Sequence, residues 1–201
     1  MKEEILSKLD NKSAVIGVIG LGYVGLPLSI KFVDQGYRVI GFDIDPSKSE
    51  SISRGESYIS HIPANAVRVA ADRGFEATTD FSNAASADAL IICVPTPLDE
   101  HRDPDLSFVI STAEAIAPYL RPGQIVSLES TTYPGTTDDL LRPIIERSGL
   151  EVGKDIFLVF SPEREDPGNA TFSIGNIPKV CGGVTPACLE IGQSLYSRVT
   201  T

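Results

Sequence analysis

Long apolar runs are missing from this chain. No stretch approaches the roughly 20 residues that a helix needs to cross a bilayer, and the opening segment Met1-Lys2-Glu3-Glu4-Ile5-Leu6-Ser7-Lys8-Leu9 is charged and amphipathic, unlike a secretory leader. A short helix ahead of the first strand and a cytoplasmic address are the expectations that follow. Cysteine is scarce: Cys93, Cys181 and Cys188 are odd in number and lack C-x-x-C spacing, which speaks against a disulfide framework or a structural zinc site. Cys93 and Cys181 fall in apolar runs and are expected to be buried core thiols. Histidine is scarcer still. His61 and His101 lie in loop-like segments, so no metal site is expected. Cations are in deficit too, and a net charge of −10 argues against nucleic acid and against anionic membrane surfaces as partners. Internal repeats and low-complexity linkers are absent. What remains is 201 residues, 42% of them apolar. That is enough for one large domain, or one with a small partner, around a sizeable core.

The most informative stretch is Val15-Ile16-Gly17-Val18-Ile19-Gly20-Leu21-Gly22-Tyr23-Val24-Gly25-Leu26-Pro27, an apolar run leading straight into G-x-G-x-x-G. A second apolar run, Arg38-Val39-Ile40-Gly41-Phe42-Asp43, ends in an acid. Strand, glycine turn, helix and a carboxylate-tipped second strand form the unit that binds the adenine half of a dinucleotide. Gly20 allows the sharp turn, Gly22 lets backbone N–H groups close on a pyrophosphate, and Gly25 lets the helix pack tightly on the sheet. Tyr23 and Val24 complete the loop, and the helix N-terminus adds unpaired donors and partial positive charge. Asp43 is placed to accept from the adenosine ribose hydroxyls, and its charge would repel a 2′-phosphate, so NAD is expected over NADP. Lys48 tempers that expectation, since a nearby cation tolerates extra phosphate. The bland alternative is a tight strand-to-helix turn with no ligand.

Strand-like and helix-like segments alternate along the chain. Strands are expected at Ala14–Ile19, Arg38–Asp43, Ala89–Val94, Gln124–Leu128, Ile156–Phe160 and Lys179–Cys181, with a weaker one around Phe75–Ala77. Helices are expected at Gly22–Gln35, Pro46–Arg54, Asn65–Arg73, Leu106–Ala117, Thr136–Ser148 and Pro186–Tyr196. Pro46 and Pro186 suit first turns, and Gly36 and Gly149 suit stops. The pattern means an α/β, doubly wound parallel sheet of the Rossmann type. It occupies residues 13–201, behind a helical extension of residues 1–12. Three proline-marked polar loops follow its strands: Pro95-Thr96-Pro97-Leu98-Asp99, Glu129 to Thr136, and Ser161 to Asn169. Ligands bind at that rim in such sheets, so the loops are expected to line a cleft, the alternative being mere connectors.

In Gly20 to Pro27, Val94-Pro95-Thr96-Pro97, Asp105-Leu106-Ser107, Ser130-Thr131 with Gly135-Thr136, and Ser161-Pro162-Glu163, taken in order, the chain resembles the UDP-glucose/GDP-mannose dehydrogenase family. The form Ser161-Pro162-Glu163-Arg164-Glu165-Asp166-Pro167-Gly168 is most similar to the branch that oxidises UDP-N-acetylhexosamines, UDP-N-acetylglucosamine above all. The UDP-glucose branch usually has Phe-Leu after the Pro-Glu and a second acid before the glycine.

The resemblance implies two successive hydride transfers from a sugar C6 alcohol to NAD, through an aldehyde trapped by a cysteine. It implies adenosine-ribose contacts for Asp43 and Lys48, cofactor contacts for Pro95, Thr96, Ser130 and Thr131, and acid/base work for Glu163. Arg164, with Glu163, would meet the substrate. Counting back from Gly135-Thr136 makes Thr131 the catalytic threonine, whereas aligning on the proline makes it Thr132; Thr131 needs no gap. Structural alternatives stand beside these roles: turn or capping residues for Ser130 and Thr131, a backbone cap for Glu163, a surface ion pair for Arg164.

The family carries its nucleophilic cysteine and most of its nucleotide-sugar site later in the chain. The expectation is therefore an N-terminal cofactor domain that binds NAD weakly and turns nothing over alone, within a homo-oligomeric longer enzyme. UDP-glucose, UDP-N-acetylmannosamine or UDP-N-acetylgalactosamine are alternative substrates. A small-hydroxy-acid dehydrogenase and a non-catalytic NAD-binding module are alternative functions.

Overall fold

A computed structural model describes residues 1–98, 100, 102–163 and 178–200. Among the described residues seven strands form one sheet: β1 (Val15–Ile19), β2 (Arg38–Phe42), β3 (Phe75–Thr78), β4 (Ala89–Ile92), β5 (Ile125–Leu128), β6 (Phe157–Phe160) and β7 (Gly182–Gly183). They lie in the order β3-β2-β1-β4-β5-β6-β7, and every pairing is parallel except β6 with β7. The helices are α1 (Lys2–Asp10), α2 (Gly25–Asp34), α3 (Pro46–Ser53), α4 (Ala64–Asp72), α5 (Ser107–Ile116), α6 (Arg142–Glu146) and α7 (Pro186–Tyr196). Among the described residues no helix is long and apolar enough to cross a membrane.

The central strands are buried along nearly their whole length, β4 and β5 at every residue. Val, Ile and Leu therefore dominate them with no polar alternation, as a sheet covered on both faces requires. Side-chain caps start two of the helices. Asp45 accepts from Ser47 N at 2.9 Å ahead of Pro46, and Thr185 accepts from Cys188 N at 3.2 Å ahead of Pro186. Gly36 and Gly149 end their helices with φ of 92° and 84°, a conformation costly for other residues.

Three expectations are corrected. The last strand is Gly182–Gly183, antiparallel, rather than Lys179–Cys181. A Cβ on Gly183 would lie 2.1 Å from Leu189 N, so α7 presses on backbone that only glycine leaves open, and the apolar run before it supplies no strand pairing. The helix expected across Thr136–Ser148 is broken into a wide π-helical turn, Thr136–Leu141, and the short α6. Cys93 and Cys181 are half-buried; the fully buried thiol is Cys188, whose Sγ accepts from Leu158 N at 3.3 Å.

Beneath the sheet, one carboxylate ties four elements. Asp88 Oδ1 accepts from Lys8 Nζ at 2.9 Å and from Arg121 Nη2 at 2.8 Å, and Oδ2 accepts from Val15 N at 2.9 Å. Burial alone would raise this carboxyl, but the Arg121 guanidinium, the Val15 N–H and Lys8 together hold it below the ordinary carboxylate value. Asp88→Ala should cost about 2–3 kcal/mol in urea unfolding, since two cations and an N–H lose their shared acceptor. The folded value is the depressed one, so the stability Asp88 contributes is present above about pH 4 and is lost as pH falls through the folded value.

Candidate functional site

Strand order reverses between β1 and β4, and the chain leaves their carboxyl ends in opposite directions. At that switch point a cleft of about 450 Å³ opens. One end is lined by Gly20, Gly22, Tyr23, Val24, Asp43 and Lys48, the other by Pro95, Thr96, Glu129, Ser130, Thr131 and Glu163. Ile44, Phe81 and Phe108 supply apolar walls.

The glycine turn is built by steric necessity. Gly20 has φ 92°, and a Cβ there would meet Cys93 O at 2.7 Å. A Cβ on Gly25 would lie 1.9 Å from Gly20 O, so the helix starts hard against the turn. Around Gly22 there is nothing within 4 Å: no packing demands a glycine there, and the open space belongs to the cleft. Helix α2 consequently begins at Gly25, three residues later than the sequence pattern suggested. In the first turn Leu26 N donates to Gly22 O at 3.1 Å, Leu28 N donates to Val24 O at 3.2 Å and Pro27 has no N–H, so the backbone placed to meet an anion is that of Gly22, Tyr23 and Val24, which line the cleft. Above the turn Tyr58 Oη donates to Leu21 O at 2.8 Å, and the Tyr23 and His61 rings stack at 5.6 Å.

Asp43 is held by three donors. Oδ2 accepts from Leu21 N at 2.8 Å and Lys48 Nζ at 2.7 Å, and Oδ1 accepts from Asp45 N at 3.0 Å. A carboxylate has about four acceptor positions, so one remains for a ribose hydroxyl, and displacing Lys48 frees another. The Lys48 ammonium is committed to Asp43 rather than standing free for a phosphate.

At the other end Ser130 Oγ donates to Val94 O at 2.6 Å, lacing two rim loops together. Thr131 is exposed and lines the cleft. Thr132 is turned to Thr136, hydroxyl to hydroxyl, which leaves Thr131 as the threonine facing open space. Glu163 N donates to Glu129 O at 3.2 Å, setting the Glu163 carboxyl over the end of β5. Arg164 lies outside the described residues.

Sequence reasoning missed the cluster beneath. Lys179 Nζ lies 2.7 Å from Glu129 Oε2, 3.8 Å from Glu163 Oε2 and 5.1 Å from the centre of the Tyr196 ring. Side-chain exposures are 7% for Lys179, 0% for Glu129 and 14% for Glu163, so the ammonium is buried between two carboxylates. Ser161 Oγ, donating to Val180 O at 2.8 Å, tethers the Lys179 segment. Burial pushes Glu129 up to about 7 in spite of Lys179. Burial also drives the Cys93 thiol and the Tyr196 hydroxyl well above their ordinary values, and Glu129 adds to both. Both therefore stay neutral. Glu129 and Lys179 are 50 residues apart with no common motif, so nothing in the sequence marked them as a pair.

Residues 14–200 match the family model described as UDP-glucose/GDP-mannose dehydrogenase family, NAD binding domain. The chain is 37% identical over 191 residues to the UDP-N-acetyl-D-glucosamine 6-dehydrogenase of Pseudomonas aeruginosa, covering 94% of this chain and 44% of that protein. It is also 37% identical over 192 residues to the UDP-N-acetyl-D-mannosamine dehydrogenase of Salmonella typhi, covering 90% and 44%. Among solved structures, the UDP-N-acetyl-mannosamine dehydrogenase Cap5O of S. aureus superposes with a TM-score of 0.87 at 34% identity, over 94% of this chain and 45% of that one. The chain thus spans less than half the length of these relatives.

Proposed function

Because this chain belongs to the UDP-glucose/GDP-mannose dehydrogenase family, as its NAD-binding domain, we propose that it serves the NAD-dependent oxidation of a UDP-N-acetylhexosamine at C6, with UDP-N-acetylglucosamine as substrate. One observation carries the reading: a single cleft joins the glycine turn and Asp43 at one end to Thr131 and Glu163 at the other. NAD, when bound, supplies the hydride acceptor. Gly20, Gly22, Tyr23, Val24 and Gly25 cradle the pyrophosphate with backbone N–H groups. Asp43 and Lys48 hold the adenosine ribose, and Pro95, Thr96 and Ser130 bound the nicotinamide end. Thr131 orients the substrate hydroxyl or a water, and Glu163 takes the proton. Arg164 meets the sugar or its pyrophosphate.

UDP-N-acetylmannosamine is the second reading, favoured by equal identity to the relative that bears its name. Residues 13–201 form the cofactor unit, with residues 1–12 as an extension. Cytoplasm is the proposed address, and a homo-oligomer the proposed state of the complete enzyme. A panel of UDP-sugars given to that enzyme tests the substrate, and UDP-glucose outcompeting UDP-N-acetylglucosamine would overturn it.

Asp43→Asn tests the cofactor end. Loss of the charge that repels a 2′-phosphate, with release of Lys48, should weaken NAD about 10- to 100-fold and strengthen NADP. Titration calorimetry with both dinucleotides reads this directly. A wild-type chain that already prefers NADP would undo the role given to Asp43.

A further inference from the structure

The glycine turn is also held from outside the cleft. Leu21, between the first two glycines of the turn, is buried, and its two peptide groups are pinned one after the other. The Leu21 N–H donates to Asp43 Oδ2 at 2.8 Å, and the Leu21 carbonyl accepts from Tyr58 Oη at 2.8 Å. The Leu21 side chain packs against β2, where a Cβ on Gly41 would meet Leu21 Cδ1 at 2.8 Å. Tyr58 belongs to the segment between α3 and α4 and is not among the residues that line the cleft. The same segment lays His61 on Tyr23, ring centres 5.6 Å apart, so it grips the turn twice. Burial, with Asp43 and Asp45 nearby, raises the Tyr58 hydroxyl above its ordinary value, which keeps it a donor.

The carbonyl that Tyr58 holds and the Gly22 N–H are two ends of one peptide group. In a trans peptide they point in opposite directions, so fixing Leu21 O toward Tyr58 fixes the Gly22 N–H away from it. Gly22 lines the cleft. A glycine on the carboxyl side lets such a group rotate at little steric cost, and a Cβ on Gly22 would meet nothing within 4 Å. Rotated, the group would turn an oxygen toward a pyrophosphate in place of an N–H. A carbonyl that accepts a hydrogen bond also makes the N–H of its own peptide a better donor.

We propose that Tyr58 is a positioning residue for the pyrophosphate of the cofactor: by holding Leu21 O it aims the Gly22 N–H into the cleft as an anion donor. The inference rests on the cofactor site proposed above, and Tyr58 acts on the dinucleotide only through the turn. Leu21 then links the two halves of the adenosine diphosphate site, since Asp43 holds its N–H and Tyr58 its carbonyl.

Tyr58→Phe keeps the ring and removes only the hydroxyl. In calorimetric titration of the chain, NAD and ADP-ribose should each bind about five- to tenfold more weakly to the variant. Adenosine, which has no pyrophosphate, should bind within about twofold of wild type when titrated by NMR. The Gly22 amide proton of the wild-type chain should move downfield as ADP-ribose binds, and should move much less in the variant. Equal losses for adenosine and NAD would mean that Tyr58 merely braces its segment, and would overturn the proposal, as would an unchanged affinity for NAD. Should the variant fail to fold, the Leu21 carbonyl carbon of the wild-type chain answers in its place, read by NMR in light and heavy water. An isotope shift from the Tyr58 hydroxyl that persists with NAD bound supports the proposal, and its loss on binding overturns it. Each of these failures sinks this inference alone, whereas a wild-type chain that binds neither NAD nor ADP-ribose sinks the proposed cofactor site with it.

Discussion

Gly25→Ala should lower the thermal midpoint by roughly 10 °C and abolish cofactor binding, while Gly22→Ala should fold normally and lose binding alone. A Cβ at position 25 would sit 1.9 Å from Gly20 O, 3.0 Å from Gly20 C and 3.2 Å from Val18 Cγ1. Two of those atoms are backbone of the turn itself, so relief means pulling α2 off β1. Overpacking of this kind costs about 3 kcal/mol or more, which at this chain length is about 6–12 °C. Position 22 differs in kind. Nothing approaches within 4 Å, so an added methyl disturbs no packing and stability stays within about 0.5 kcal/mol. The methyl instead stands where backbone N–H groups must close on a pyrophosphate. A tenfold or greater loss of NAD affinity is expected, each tenfold being about 1.4 kcal/mol. Differential scanning calorimetry and binding titration, run on both variants, separate the two outcomes. A Gly25→Ala protein that melts with the wild type would refute the packing account of this turn.

Lys179→Met should destabilise the chain by about 3–5 kcal/mol at pH 8, because it strands a carboxylate with no exposure to solvent. The loss should shrink toward pH 5. Glu129 in the folded chain is raised to about 7 from an ordinary 4.5, so between those values the folded state keeps a proton that the unfolded state has released. This group's contribution to stability therefore declines as pH rises through that window, and removing the lysine deepens the decline. Lys179→Met combined with Glu129→Gln should recover most of the loss, since an uncharged pair leaves no stranded ion. Urea midpoints at pH 5 and 8 check each step. Equal losses at both pH values would mean that Lys179 acts through its hydrocarbon stem and its packing on Tyr196.

Much of this architecture could be read from residue order, because the signals were local and redundant. Val- and Ile-rich runs, Pro46, Pro186, Gly36 and Gly149 each report on a few neighbouring residues, and the elements they mark are present. The glycine turn and Asp43 were legible for the same reason. What escaped has no local signature. Gly182–Gly183 carries no side-chain pattern, so its pairing with β6 follows from how closely α7 approaches. The half-buried state of Cys93 depends on a cleft that only the assembled rim creates. Lys179 resembled the start of an apolar strand, and its burial depends on acids far away in the chain. That Thr132 is turned away from the cleft depends on the hydroxyl of Thr136.

The docking of the first helix has a consequence for the order of events on the ribosome. Helix α1 is fastened by Lys2 to Glu190 at 2.6 Å, by Asp10 to Arg198, and by the Leu9 carbonyl to the Tyr37 hydroxyl at 2.7 Å. Asp10 and Arg198 are 188 residues apart. At typical elongation rates α1 emerges roughly 10–40 s before α7 exists to receive it. During that interval Ile5 and Leu9, which end at 2% and 0% exposure, lack part of their final cover. Closure of the amino-terminal helix thus waits until α7 has been made, and a nascent chain stalled before α7 should leave that helix open to protease.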